Sequence, residues 1–167
     1  LIAGLQTLLV PVLLTATLLV LILADLLLPF RPGTRNPKDA IGIVALLQLA
    51  AVNVVAWLAP ASGRSVGRAF VDDGWTVFLQ RLFLAAALLG VLGAMAHARR
   101  HFPRRQGEFF VLLVASLIGM TLLAGACDLL LLVVAFELMG MPLYVLASYG
   151  KTEGDAAQPP PEPGLTR

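Results

Sequence analysis

Glu137 is the residue with the clearest capacity for chemistry, because it places one carboxyl group inside the apolar stretch LLLLVVAFELMGMPLYVL at residues 129–146. An acid near the middle of a membrane span costs roughly 2.5–3.5 kcal/mol on insertion scales, so such residues usually face a bundle interior or a water-filled path. Apolar surroundings favour the neutral form of a carboxyl group, and a neighbouring cation favours its ionised form. A carboxyl group held between these two influences can accept and release a proton, as a proton relay must.

A polar stripe is predicted beside Glu137, on the same side of its helix. Helical spacing of three or four residues places Gly140, Met141, Tyr144 and Ser148 between the acid and one end of the helix. The two hydroxyls supply a polar path, and Gly140 leaves space for a neighbouring helix or water. Pro142 cannot donate a backbone hydrogen bond to the carbonyl four residues before it, which frees that acceptor and permits a kink. The alternative is a structural carboxyl group, protonated and hydrogen-bonded across a helix interface.

Other enzymatic motifs are missing from the sequence. It contains no Gly-x-x-x-x-Gly-Lys-Ser/Thr phosphate loop, no Gly-x-Gly-x-x-Gly after a strand and no His-Glu-x-x-His zinc motif. A single cysteine, Cys127, can neither form an internal disulfide nor supply a metal cluster. We therefore expect no metal and no cofactor in this chain.

The composition is that of a membrane protein. Of the 167 residues, 59% are hydrophobic and 13% are charged, whereas about 25% of residues in soluble domains are charged. The basic residues lie in short links between apolar runs, a pattern of membrane topology and not of a nucleic-acid-binding surface. The predicted fold class is all-α, a polytopic transmembrane helix bundle within residues 1–150. About five helices are expected, at residues 7–28, 39–58, 75–98, 108–124 and 128–149.

Both ends of the chain carry further predictions. The links after the first and third helices hold 3 and 4 basic residues, against 2 and 0 after the second and fourth, so the N-terminus is expected outside the membrane and the C-terminal tail in the cytoplasm. Residues 151–167 are polar and proline-rich, as in a disordered tail or linker. The chain lacks the basic start of a signal peptide. Because it begins with Leu1 and ends in a polar tail, we expect either a piece of a longer polypeptide or a split or truncated form.

Residues 108–150 resemble a known family. The resemblance is carried by Glu-Phe-Phe at 108–110, by a turn of small residues before Asp128, and by E-L-x-x-x-P-L-Y-V-L from Glu137 to Leu146. This region is similar to the fourth and fifth helices of the antiporter-like membrane subunits of respiratory complex I, and most similar to the subunit N type of bacterial NADH-quinone oxidoreductase. The earlier helices agree with that family in number, link length and orientation. Family members have about fourteen helices, so the five here correspond to an N-terminal part.

The resemblance implies a role for Glu137. In that family the matching glutamate translocates protons together with a lysine on a later, interrupted helix, which has no counterpart in this chain. The resemblance also implies a subunit of a proton-pumping NADH:quinone oxidoreductase in the bacterial inner membrane, in contact with lipid and with other membrane subunits. FMN, iron–sulfur clusters and quinone are then expected in partner subunits, with no redox chemistry in this chain.

Two alternatives stay open at this point. The first is a related subunit of a multi-subunit cation/proton antiporter or of a membrane-bound hydrogenase, since these share the glutamate helix. The second is a non-transporting membrane scaffold.

Several other positions are predicted to be structural. Asp25 is expected at the membrane interface, Arg81 is expected to extend its charge outward to that interface, and the amide of Gln48 is expected to hydrogen-bond to a neighbouring helix. Ala115 and Gly119 form a pair of small residues four positions apart, which favours close helix packing.

Overall fold

The structure, a computed structural model, describes residues 7–28, 39–59, 63–101 and 106–156. In chain order its elements are α1 (Leu9–Leu27), α2 (Asp39–Leu58), β1 (Arg64–Val66), β2 (Phe70–Asp72), α3 (Gly74–His101), α4 (Gln106–Ala124) and α5 (Leu129–Ala156). All five helices are long and apolar enough to cross a membrane. The predicted five-helix transmembrane bundle is confirmed, and the described residues add one short β-hairpin to it.

The last helix is longer than the sequence suggested. It was expected to end at residue 149, and it continues to Ala156. Residues 151–156, KTEGDA, contain no proline, and the next one along the chain is Pro159. A helix can therefore run through this polar segment, because proline is the residue that interrupts the backbone hydrogen-bond ladder most strongly. The remainder of the predicted tail, residues 157–167, lies outside the described residues.

α4 is the central helix of the bundle. It packs against each of the other four helices, whereas α5 packs chiefly against α4 alone. The shared core consists of apolar side chains from α1 to α4 that are almost completely removed from the surface: Leu14, Leu21, Ile41, Leu49, Leu84, Val91, Phe110 and Val114. The arrangement leaves α5 at the edge of the bundle, with one face packed and the others open.

The β-hairpin lies between α2 and α3 and is held against the turn that joins α4 to α5. Gly67, with φ of 59°, supplies the left-handed backbone that the tight turn between the strands requires. Beyond the hairpin itself, the Val71 N–H donates to the Gly125 carbonyl at 2.9 Å, and the Cys127 N–H donates to the Ala69 carbonyl at 2.8 Å. The hairpin therefore ties the start of α3 to the turn between α4 and α5 at one end of the bundle.

Phe70 is the side chain that locks this contact. It is 2% exposed, and its ring lies directly over Gly125, where a Cβ atom would come within 2.6 Å of the ring carbon Cε2. Gly125 is therefore required by a close approach, because a larger residue would displace the aromatic ring. We call the contact between Phe70 and residues 125–127 the hairpin clasp.

Candidate functional site

Glu137 lies near mid-depth of the span formed by α5. This span runs from Leu129 to Ser148, and Glu137 is about 12 Å from its beginning and about 17 Å from its end at 1.5 Å per residue. It is the one acidic or basic residue of that span. The observed helix bounds therefore place the acid near the middle of the span's length.

A close contact between α4 and α5 fixes which way Glu137 points. A Cβ atom on Gly119 would collide with the backbone nitrogen of Met139 and would lie 2.8 Å from the carbonyl oxygen of Ala135. Ala135 is completely buried, and Pro142 is buried on the same side of the helix. Because this face of α5 is pressed against α4, Glu137 lies on the other side and is exposed. The predicted role of Gly119 in close packing is confirmed.

The exposed face of α5 combines Glu137 with the residues predicted to share its stripe. Tyr144 is 77% exposed and Met141 is 62% exposed, and Ser148 is also exposed. The acid was expected to face a bundle interior or a water-filled path, and among the described residues it faces away from the bundle. The physical reason is that α5 packs chiefly against one helix, which covers one side of it.

The other residues of the stripe have distinct surroundings. The Ser148 hydroxyl donates to the Val145 carbonyl of its own helix at 2.7 Å. A Cβ atom on Gly140 would lie 3.7 Å from the Tyr144 ring, which is an ordinary van der Waals contact. α5 continues as a helix through Pro142. Within the described residues no hydrogen bond or ion pair reaches the Glu137 carboxyl group.

A second polar cluster, absent from the sequence-based expectations, lies at the hairpin end of the bundle. Asp72, Thr76, Gln80 and Thr121 are all at most 6% exposed. The Thr76 hydroxyl donates to the Ala124 carbonyl at 3.3 Å, and the Gln80 amide donates to the Thr121 carbonyl at 3.5 Å. Asp72 and Gln80 also line a cavity of about 30 Å³, which is enough for one or two waters.

Asp73 caps the first turn of α3. Its Oδ1 atom accepts a hydrogen bond from the Thr76 backbone N–H at 2.8 Å, which is the usual geometry of an aspartate at a helix N-terminus. This bond is the main reason why the pKa of Asp73 is lowered below its ordinary value. The sequence Asp-Asp-Gly-Trp before an apolar run was a signal for this cap.

Arg81 stabilises the end of α2. Its Nε atom donates to the Ala56 carbonyl at 3.1 Å and its Nη2 atom donates to the Ala59 carbonyl at 3.0 Å. The guanidinium carbon lies 5.1 Å from the centre of the Trp57 ring, within cation–π range. The positive charge therefore sits at the negative end of the α2 dipole, where a cation is favourable.

The remaining polar predictions had mixed outcomes. Asp25 lies against the first turn of α4, where a Cβ atom on Gly107 would collide with its carboxyl group, and an acid is favourable at that helix end. The Oε1 atom of Gln48 is buried and has no hydrogen-bond partner among the described residues, so the predicted interhelical bond is wrong for that atom.

No group of three or more potential metal-ligating side chains occurs in the described part of the chain.

The fold and the site together define the class of this protein. Five apolar helices make it a multi-pass membrane protein, and the span of α5 carries a single acid at mid-depth. No family model matches the chain, but curated relatives do.

The relatives are named as subunits of NADH-quinone or NAD(P)H-quinone oxidoreductases. The chain is 36% identical over 145 residues to NADH-quinone oxidoreductase subunit N of Anaeromyxobacter sp. (strain Fw109-5), a match that covers 87% of this chain and 27% of that protein. It is 34% identical over 117 residues to subunit N of Desulfitobacterium hafniense (strain DSM 10664 / DCB-2), covering 70% of this chain and 23% of that protein. A match to NAD(P)H-quinone oxidoreductase subunit 2 of Synechococcus sp. (strain JA-3-3Ab) is 31% identical and covers 85% and 26% of the two chains.

This chain is a homologue of NADH-quinone oxidoreductase subunit N, the membrane subunit of complex I that its sequence resembles. It spans about a quarter of the length of the curated relatives that it matches.

Proposed function

We propose that this chain contributes to proton translocation by an NADH-quinone oxidoreductase and that Glu137 is its proton relay. The support from similarity is that the relatives are named as subunit N of that enzyme. The support from geometry is that Glu137 stands alone at mid-depth of its span and lies on a face of α5 that the other four helices leave open. FMN, iron–sulfur clusters and quinone would belong to partner subunits, which carry out the redox chemistry.

The single observation that carries this proposal is the open, unpaired position of an acid at membrane depth. A carboxyl group there is costly unless a cation, water or another polar group completes its surroundings. If hydrogen bonds or an ion pair within the bundle already stabilised the Glu137 carboxyl group, its role would be structural. Here the described residues supply no such partner, so the acid is available to groups on another segment or subunit, such as the lysine expected in this family.

The relay would work through electrostatic coupling. When a cation approaches Glu137, the ionised carboxylate is favoured and the proton leaves; when the cation withdraws, the apolar surroundings favour the neutral acid and a proton is taken up. A redox-driven movement elsewhere in the complex need only change the position or charge of that cation. Tyr144 and Ser148 lie between Glu137 and the end of the span away from the hairpin, and we assign them to the polar path on that side.

The test is to remove ionisation while keeping the shape of the side chain. In the intact protein within its enzyme complex, we expect Glu137→Gln to lower proton pumping through this subunit by about 10²-fold or more, the low end for a positioned proton-transfer group. Glu137→Asp keeps the acid and should retain part of the pumping. The matched control is Glu108→Gln, an exposed acid in the first turn of α4. Pumping by Glu137→Gln at the level of this control would overturn the relay.

The reaction that supplies the energy for pumping distinguishes an NADH-quinone oxidoreductase from a cation/proton antiporter and from a membrane-bound hydrogenase. For an NADH-quinone oxidoreductase, the pumping that depends on Glu137 requires NADH oxidation with quinone as acceptor. Pumping driven by a sodium gradient would favour a cation/proton antiporter, and pumping driven by hydrogen turnover would favour a membrane-bound hydrogenase. Full pumping after the substitution, with assembly lost on removal of the chain, would favour a scaffold.

We further propose that the hairpin end of the bundle faces the outside of a bacterial plasma membrane. Cys127 tests this directly, because it is the chain's single cysteine, is exposed and lies at that end. We expect a membrane-impermeant maleimide to label it in intact cells. A cysteine placed at Arg104 in a Cys127→Ser background should be labelled only after the cells are opened. The reverse pattern would invert the proposed orientation.

A further inference from the structure

A groove on the outer surface of the bundle, between α2 and α3 at the hairpin end, has the chemistry of a lipid site. Its volume is about 430 Å³, within the range of small-molecule pockets. Its wall is apolar and aromatic except at one point, where a guanidinium group stands: the lining includes Trp57, Val77, Phe78, Arg81, Leu82 and Ala85. We call it the Arg81 groove.

Arg81 is held in place by hydrogen bonds from two of its three guanidinium nitrogens. Its Nε and Nη2 atoms donate to backbone carbonyls at the end of α2, at Ala56, Trp57 and Ala59. Among the described residues the Nη1 atom, which carries two N–H groups, has no hydrogen-bond partner. The guanidinium group is therefore fixed in orientation where it lines the groove, and within the described part of the chain two of its N–H donors are unused.

The level of the groove in the membrane follows from the same bonds. The apolar span of α2 ends at Leu58, so a guanidinium group bound to the carbonyls of Ala56 and Ala59 lies where hydrocarbon gives way to the interface. Trp57 and Trp75 are 61% and 66% exposed at this level, as expected for interfacial tryptophans. Phe78 stacks on Trp75 with 5.8 Å between ring centres and forms part of the groove wall.

We propose that the Arg81 groove binds a phospholipid of the leaflet at the hairpin end. The phosphate group would accept hydrogen bonds from the Nη1 atom of Arg81, since a guanidinium fork matches phosphate oxygens in charge and geometry. One acyl chain would run along Phe78, Leu82 and Ala85 toward the membrane centre. Charge complementarity favours this occupant. The groove has one cation at the level of the interface and an apolar wall below it, and a phospholipid has an anionic phosphate at the interface and apolar acyl chains below it. The site is independent of the role of Glu137.

The occupant can be identified by photochemical cross-linking. With p-benzoylphenylalanine in place of Phe78 in the intact protein in its native membrane, we expect irradiation to yield a phospholipid adduct, detected by mass spectrometry. Adding Arg81→Gln should lower the adduct about tenfold, the loss expected for a charge-assisted hydrogen bond. A cross-link to another polypeptide or to a second copy of this chain would overturn the proposal. So would a phospholipid adduct that is unchanged by Arg81→Gln.

A second variant separates lipid binding from stability, because Arg81 also stabilises the end of α2. Ala85→Trp fills the apolar part of the groove and leaves Arg81 intact, so it should lower the adduct; Leu92→Trp, on the exposed surface of α3 outside the groove, should not. After delipidation and reconstitution, phosphatidylglycerol should restore the adduct and a galactosyl diacylglycerol, which lacks phosphate, should restore about tenfold less. Equal labelling by the two lipids would show that Arg81 does not select phosphate and would overturn the proposal.

Discussion

α4 and α5 are neighbouring apolar spans joined by a short turn, yet they differ strongly in burial. Of the residues in the apolar span of α4, 44% are buried inside the bundle, whereas only 11% are buried in the span of α5. α4 presents Gly107 and Gly119 to its neighbours, and both sit where a Cβ atom would collide with another helix. The exposed side of α5 instead carries bulky side chains around Glu137. Apolar composition therefore predicts that a helix crosses the membrane, whereas small residues at close contacts predict which faces pack.

The same contrast separates the hairpin clasp from the face that carries Glu137. The clasp is closed by a buried aromatic ring and by backbone hydrogen bonds, so its residues are committed to structure. Among the described residues, the face of α5 that carries Glu137 is not covered by another helix. Its side chains are therefore available for contacts with another segment or subunit. Substitutions in these two regions should accordingly differ in what they damage.

The largest effect on stability is expected at the clasp. Phe70→Ala removes a ring that is 2% exposed and should lower the free energy of unfolding by about 3–5 kcal/mol, as for other buried phenylalanines. Phe136→Ala is the matched control, because Phe136 is 54% exposed on α5 and should cost far less. Thermal unfolding of the purified protein in detergent measures both. Equal losses would mean that the clasp is no more structural than the open face.

An intermediate effect is expected from two glycines that differ in surroundings. Gly119→Ala should cost about 1–3 kcal/mol, as overpacking does, because its Cβ atom meets the backbone of α5. Gly140→Ala meets an ordinary contact with the Tyr144 ring and should be neutral or stabilising by up to about 1 kcal/mol through helix propensity. The same thermal measurement in detergent compares the pair. A destabilising Gly140→Ala would show that the open side of α5 is packed against something else in the purified protein.

The sequence predicted the helices and the position of Glu137 along its helix because both depend on local pattern. Apolar runs of about twenty residues are visible without any tertiary contact, and the position of an acid within a run follows from counting residues. The hairpin clasp was not predicted, because its strands are three residues long and its partner, the turn at residues 125–127, lies more than fifty residues away. Nor could the contact of Asp25 with Gly107 be found from spacing, since it depends on how α1 packs on α4.

The outward direction of Glu137 was missed for a related reason. Helical spacing showed which residues share its stripe, and the structure leaves Tyr144 and Ser148 exposed with it. Spacing cannot show whether a stripe faces the bundle or leaves it, because that depends on the neighbour of α5. The sequence signal for this packing was the pair of small residues Ala115 and Gly119. This pair lies on α4, so it marked the face of α4 that packs and did not show which face of α5 packs against it.

A smaller loss of stability than at Phe70 or Gly119 is expected from removing the cap of α3, and it should depend on pH. The pKa of Asp73 is lowered in the folded protein, so its stabilising contribution is complete above its ordinary value of about 3.9 and is lost as the pH falls through the lower folded value. Asp73→Ala should lower the melting temperature slightly at neutral pH, and the difference from the parent protein should shrink in strong acid. A difference that grew on acidification would contradict the assigned cap.

The most direct measurement of the central claim is the protonation of Glu137 during turnover. Infrared difference spectroscopy of the enzyme complex, recorded while NADH is oxidised, reports the carbonyl stretch of a protonated carboxyl group. We expect such a band to appear or disappear with turnover, to be absent in Glu137→Gln and to remain in Glu108→Gln. A band that persists unchanged in Glu137→Gln, with pumping intact, would contradict the assignment of Glu137 as the relay.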